Sequence, residues 1–226
     1  MKDRIEHVPL GRIDYVAALA AQRCAHACRS RGEIRDLVLT AEHDPVLTVG
    51  RSGSLDDLLV SPEQLREEGI PVHRVERGGG ITYHGPGQLV VYPILDLKER
   101  GLDLRRYVRL LEDAMLATAR AFGVRARRDE RRPGAWVGSR KLASVGIHVR
   151  RWVTLHGFAL NVDARRDHFA MIRPCGEAIE IVSLSDLTVR TPSMLEAERA
   201  ALDALSAALG DPIEEGEASW LAATSH

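Results

Sequence analysis

Aromatic side chains are scarce, at 4% of the 226 residues, and there are only three cysteines. Leu, Val, Ile and Ala must therefore fill the core, and a hydrophobic fraction of 45% supplies enough of them. An excess of charge of one sign is also missing. The formal net charge is −1, which argues against general nucleic-acid binding driven by phosphate neutralisation. No run of about 18 apolar residues occurs, so no transmembrane helix is expected. The opening MKDRIEHVPLGRIDY carries no apolar stretch of signal-peptide length. A cytoplasmic location is the expectation. Cys24, Cys28 and Cys175 cannot all pair within one chain, so free thiols are expected, one of them a candidate nucleophile.

No repeat, low-complexity tract or Pro/Ser-rich linker interrupts the sequence, so one domain over 1–226 with its core at about 35–190 is expected. A helix is predicted over 14–29, with Asp14 as its N-cap. Strands are predicted at 37–40 and 46–49, parted by the turn-forming HDP. A short helix over 62–68 follows Ser61, with Pro62 at its first position. Apolar side chains at Tyr107, Leu110, Leu111, Ala114 and Met115 predict a helix over 103–122. Short strands return between 135 and 162, and an Ala/Leu-rich helix is predicted over 193–209. Strands grouped in runs, with helices between the groups, indicate an α+β fold with a mixed, largely antiparallel sheet flanked by helices.

Three stretches could carry chemistry. The first is Arg77-Gly78-Gly79-Gly80-Ile81-Thr82-Tyr83-His84, continuing into Gly85-Pro86-Gly87-Gln88. Its glycines let a backbone approach a ligand closely and expose N–H groups to an anion, whereas a plain flexible hairpin would need neither Arg77 nor His84. It is neither a dinucleotide fingerprint nor a Walker loop. The second is Arg140-Lys141-Leu142-Ala143-Ser144-Val145-Gly146-Ile147-His148. Strand alternation would put Lys141, Ala143 and Val145 on one face and Leu142, Ser144 and Gly146 on the other. A lysine among small or apolar neighbours suits base chemistry, and a strand-end lysine reaching to solvent is the plain alternative.

The third is Arg173-Pro174-Cys175-Gly176, where Pro and Gly set an exposed turn beside a positive charge. Such a setting suits a reactive thiolate, although a tolerated loop cysteine is the ordinary alternative. Cys24 and Cys28, four apart on a helix, lack further ligands at metal-binding spacing and read as core residues. Among nine histidines, His84 is the best partner for a thiol, with His43, His148 and His156 near strands, and no spacing selects between them. Arg105, Arg106, Arg109 and the arginines between 125 and 132 read as solvated faces or as a docking patch for an acidic protein.

Taken together, RGGGITYHGPGQLVVYPILDL, KLASVGIHV with HGFALNV, and RPCG, preceded by AEHDPVLTVGR, resemble the lipoyl(octanoyl) transferase family over about residues 35–190. The resemblance implies the biotin/lipoate protein ligase-like fold. It further implies transfer of an octanoyl group from octanoyl-acyl carrier protein to a lysine of lipoyl domains, in 2-oxoacid dehydrogenase complexes and glycine cleavage H protein, with no cofactor and no metal. By position, Cys175 matches the family's acyl-thioester cysteine and Lys141 the lysine that activates it. Arg77 to His84 match the substrate-binding segment, with Gly80 where many members carry Gln. Ser144, Val145, Gly146, Gly157, Phe158 and Ala159 match segments lining the acyl pocket. An ATP-dependent lipoate–protein ligase on the same fold is the nearest alternative, and Cys175 discriminates against it. A non-catalytic acyl-binding module is the other, and the presence of both Cys175 and Lys141 speaks against it.

Overall fold

Short, β-branched-rich runs form the strands of this protein, and a computed structural model describes residues 4–174 and 179–217. The strands are β1 (Ile5–Ile13), β2 (Leu37–His43), β3 (Val46–Val49), β4 (Val72–Arg74), β5 (Ile81–His84), β6 (Gln88–Ile94), β7 (Gly134–Val137), β8 (Arg140–Arg150), β9 (Val153–Asn161) and β10 (Ile213–Glu215). Seven of them make one sheet in the order β10-β1-β2-β6-β9-β8-β7, and three make a smaller sheet, β4-β3-β5. In the large sheet β1 runs parallel to β2 and β10, and the other pairings are antiparallel. The α+β, mixed-sheet expectation describes this arrangement.

Helices α1 (Tyr15–Ser30), α2 (Pro62–Glu67), α3 (Leu104–Ala121), α4 (Arg166–Phe169) and α5 (Met194–Leu209) complete the fold. Their starts follow from local chemistry. The Asp14 carboxylate accepts from the N–H groups of Val16 and Ala17, and Ser193 forms a capping box with Glu196, each satisfying backbone donors that a helix leaves unpaired. Helices α3 and α5 pack Leu111, Met115, Ala201 and Leu205 against one face of the large sheet, on Leu89, Phe158 and Leu160. Helix α1 covers the other face, with Ala21 and Ala25 against Leu39, Tyr92 and Leu155. Each large apolar side chain buried in these layers contributes about 1.5–3 kcal/mol. Tyr15 and Leu19 at the start of α1 also touch Val46 and Val75, which joins the layers to the small sheet. No helix among the described residues is long and apolar enough to cross a membrane.

Strand β8 departs from simple alternation. Its pairing with β7 shifts register, from Ala135↔Ala143 to Trp136↔Lys141, so that β8 carries one extra residue there. Leu142 and Ala143 are consequently side by side in the α3/α5 core. The face assignment made from alternation is corrected: Lys141 shares a face with Ser144 and Gly146, not with Ala143. Two neighbouring strands at one side of the large sheet also escape the sequence pattern. Pro9 and Gly11 interrupt β1, whose register against β2 shifts between Pro9 and Arg12, and β10 is only three residues long.

Candidate active site

A narrow cleft, with a cavity volume of about 80 Å³, opens where the small sheet meets the open face of β6, β9 and β8. Its floor follows from register. Val90 of β6 pairs with Ala159 of β9, which pairs with Ser144 of β8, and one row further along Gly157 pairs with Gly146. Paired residues share a face, so these small side chains form a shallow track along the sheet. Gly79, Gly80, Ile81, Thr82 and His84 line one wall. Tyr15, Tyr92 and His156 also line it, while Phe169, Pro174, Ile179 and Ile181 supply apolar surface. Phe158 and Val145 contribute as well, although their side chains also belong to the α3/α5 layer.

The glycine-rich loop is held by Arg77. Its guanidinium donates to the Thr48 carbonyl and hydroxyl at 2.7 and 2.8 Å and to the Gly78 carbonyl at 3.1 Å. Its stem crosses β8 at Gly146, where a Cβ would lie 2.9 Å from Arg77 Cδ, so only glycine fits without displacing the arginine. The Gly78 N–H then donates to the Ile147 carbonyl at 2.8 Å. Arg77 thus fastens the loop to both sheets. Gly78 and Tyr83, expected at the site, do not line the cleft: Gly78 docks on β8, and the Tyr83 hydroxyl pairs with His168 Nδ1 at 2.8 Å within the small-sheet core.

Lys141 lies at the bulge and lines the cleft. Its N–H donates to the Glu180 carbonyl, and its own carbonyl accepts from the Val182 N–H and from Asn161 Nδ2. The Nζ lies 5.0 Å above the Trp136 ring, an arrangement that favours the cation. Cys175, with Gly176, lies outside the described residues. Pro174 and Ile179, the described residues on either side of 175–178, both line the cleft with Lys141.

Burial keeps the imidazoles neutral. Desolvation, with the charges of His43 and Arg77 adding to it, pushes the His84 pKa down to about 3. Desolvation lowers that of His156 to about 4. His43 is also lowered by burial. His43 Nδ1 faces the Ile13 carbonyl, which can only accept, so Nδ1 carries the proton and Nε2 accepts from the Tyr92 hydroxyl at 2.6 Å. His156 has φ 59°, a left-handed conformation unusual for a side-chain-bearing residue, and its N–H donates to Gln22 Oε1 at 3.0 Å. Sequence reasoning did not single out Tyr15, Tyr92, Gln88 or Asn161. The available signal was a polar residue at each end of an apolar run, in GQLVVYPI and HGFALNV. Cys28 is buried and Cys24 packs at the edge of the α1 layer, consistent with core residues. Among the described residues no group of three His, Cys, Asp or Glu is placed to hold a metal.

Residues 14–206 match the family model described as the lipoyl protein ligase A/B catalytic domain. The chain is 47% identical over 181 residues to an octanoyltransferase from Solibacter usitatus, covering 80% of this chain and 82% of that protein. It is 46% identical over 191 residues to one from Syntrophobacter fumaroxidans, covering 84% of each. Among solved structures, a lipoate-protein ligase A bound with ATP superposes with a TM-score of 0.75 at 17% identity, over 96% of this chain and 89% of that one. A biotin protein ligase from Aquifex aeolicus, in complex with biotin and ATP, superposes at 0.55 and 13% identity over 91% and 70%. Such distant likenesses establish the fold alone. The chain belongs to the lipoyl protein ligase A/B catalytic-domain family, and within it to the octanoyltransferases, as an acyltransferase.

Proposed function

We propose that this enzyme transfers an octanoyl group from the phosphopantetheine thioester of an acyl carrier protein to a lysine of a lipoyl domain, through a thioester on Cys175. The observation that carries the reading is the cleft itself. Lys141, Pro174 and Ile179 line one apolar track, and Glu180 and Val182 are hydrogen-bonded to the main chain of Lys141, so the described residues that flank 175–178 in sequence lie beside the lysine. The Cys175 thiolate attacks the donor carbonyl, forming one S–C bond and breaking another, and the phosphopantetheine thiol leaves with a proton. The acceptor amine then attacks the acyl-enzyme, the Cys175 sulfur leaves, and an amide forms.

Lys141 as a cation favours the thiolate and, once neutral, takes the proton of the incoming amine. Backbone N–H groups of the glycine-rich loop or next to Cys175 hold the oxyanion. Gly79 to Thr82, with Ser144 to Gly146 and Gly157 to Ala159, bound the acyl chain, while Arg77 fixes the wall. Because thioester exchange is nearly balanced and amide formation runs downhill, no ATP is required. The whole chain acts as one catalytic domain in the cytoplasm. A structural neighbour from Thermoplasma acidophilum was solved as part of a system comprising a lipoate protein ligase and its E2 lipoyl domain, which supports lipoyl domains as acceptors; the glycine cleavage H protein is proposed alongside them.

Intact-mass measurement after mixing with octanoyl-acyl carrier protein, without ATP, tests this. An octanoyl adduct on Cys175, absent from Cys175→Ser and formed at least about a hundredfold more slowly by Lys141→Ala, is the expected result. Strict ATP dependence with an active Cys175→Ala variant would instead identify a ligase.

A further inference from the structure

Between the small sheet and Lys141 runs a chain of buried polar side chains that the proposed chemistry does not use. His84 Nδ1 lies 2.6 Å from Gln88 Oε1, and Gln88 Nε2 lies 2.9 Å from Asn161 Oδ1. Asn161 Nδ2 lies 3.4 Å from the Lys141 carbonyl and 3.3 Å from that of Val182. All three side chains are buried, and Gln88 and Asn161 are cross-strand partners.

The direction of every donor in this chain is forced from one end. Two main-chain carbonyls can only accept, so the Asn161 amide nitrogen faces them and its oxygen faces Gln88. Gln88 must then present its nitrogen to that oxygen, with the Tyr83 carbonyl as a second, longer acceptor at 3.5 Å. Its own oxygen therefore faces His84, and an oxygen with lone pairs requires a proton on Nδ1. The opposite orientation would leave the carbonyls of Lys141 and Val182 facing the Asn161 amide oxygen, each at a cost comparable to a lost hydrogen bond. The tight turn serves the same end. Gly87 has φ 81°, and a Cβ there would collide with the Asp163 main chain, so glycine alone lets His84 and Gln88, four residues apart, meet across it.

We propose that Gln88 and Asn161 are positioning residues that fix the His84 proton on Nδ1 and hold the main chain of Lys141 at the β8 bulge, making His84 Nε2 the cleft's acceptor for an N–H of the incoming amine. His84 lines the cleft, and with Nδ1 protonated its lone pair resides on Nε2. The imidazole stays neutral and orients the nucleophile rather than taking its proton, which passes to Lys141. This role rests on the transfer reading above, whereas the tautomer and the donor directions do not.

The test begins with the unmodified protein. Long-range ¹H–¹⁵N correlation of ¹⁵N-histidine-labelled enzyme, with His84 assigned from its absence in His84→Asn, is expected to show the Nδ1–H tautomer at neutral pH. An Nε2–H tautomer overturns the proposal whether or not any octanoyl adduct forms. Gln88→Met removes both polar atoms at nearly equal volume. His84 is expected to lose the fixed tautomer, and amide formation in single-turnover kinetics to fall about tenfold more than thioester formation, the factor expected for one lost buried hydrogen bond. Equal falls in the two half-reactions, or an unchanged tautomer, would overturn it. Asn161→Asp keeps an oxygen for Gln88 and removes the donor to Lys141. The expectation is a retained tautomer with both half-reactions slowed, and full rates in that variant would refute the tie to Lys141.

Discussion

Mild acid should weaken this fold before it protonates most carboxylates, and the cleft histidines set the size of the effect. In the folded state the pKa of His84 is about 3 and that of His156 about 4, against an ordinary value of 6.5. A base whose folded pKa is depressed is more protonated in the unfolded chain, so between those values unfolding takes up protons and stability falls as pH falls. From pH 7 to pH 5 each imidazole traverses about 1.5 units below its unfolded pKa while remaining neutral in the fold, a loss of roughly 2 kcal/mol apiece and about 4 kcal/mol together. His7, His26, His43, His148 and His168 are also lowered by burial and act in the same direction. Asp167 and Glu196, held low by Arg165 and Arg190, act mainly below their unfolded values and so contribute little at pH 5. Urea unfolding followed by circular dichroism at pH 7 and pH 5, at fixed ionic strength, measures the difference. His156→Gln should remove about half of the two-histidine share. A wild-type loss below about 1 kcal/mol, or a variant with the wild-type pH dependence, would refute the reasoning.

Three further outcomes follow from individual contacts. Asp36, buried, accepts from Arg29 Nε at 2.7 Å, from Arg100 and from the Asp96 N–H, so Asp36→Ala takes one carboxylate from each of two largely buried guanidiniums, leaving Arg29 with Glu99 and Arg100 with Asp211, and should cost about 3 kcal/mol in denaturant unfolding. Gly87→Ala forces a side chain into a left-handed position against Asp163 and should cost at least about 2 kcal/mol, with slowed transfer because the His84–Gln88 contact spans that turn. Ser193→Ala removes the cap of α5 and should lower stability by about 1 kcal/mol in the same assay, leaving the transfer rate unaffected.

What could be read in advance was whatever local chemistry decides. The 14–29 and 103–122 periodicities, with Asp14 as the cap of the first, reappear as α1 and α3 within a residue or so, α3 being capped by Asp103. Pro62 stands at the start of α2, where its missing N–H costs nothing. Strands β1 and β10 were illegible because each depends on its partner: Pro9 and Gly11 read as loop, and Ile213 to Glu215 gain strand geometry only by pairing with Ile5 to His7. At the candidate site, motif order named most of the residues that line the cleft. It did not separate Tyr83, which turns into the small-sheet core, from its neighbours, because motif order follows sequence position and not the alternation of β5 that sets Tyr83 opposite Thr82 and His84. Tyr15 and Tyr92 escaped since they reach the cleft from the middle of the apolar layers around α1 and β6. The polar chain through Gln88 and Asn161 required knowing that 88 and 161 face each other across two strands, which no spacing along one chain reports.

The irregularity in β8 also bears on how such proteins diverge. A change that let β8 pair uniformly with β7, with Leu142 instead of Lys141 opposite Trp136, would look conservative by composition. It would also rotate the amine of residue 141 from the open track into the oily layer between sheet and helices. Regular hydrogen bonding and an accessible amine are therefore competing outcomes at this edge, and a lineage that smooths the strand should be expected to have given up the chemistry first.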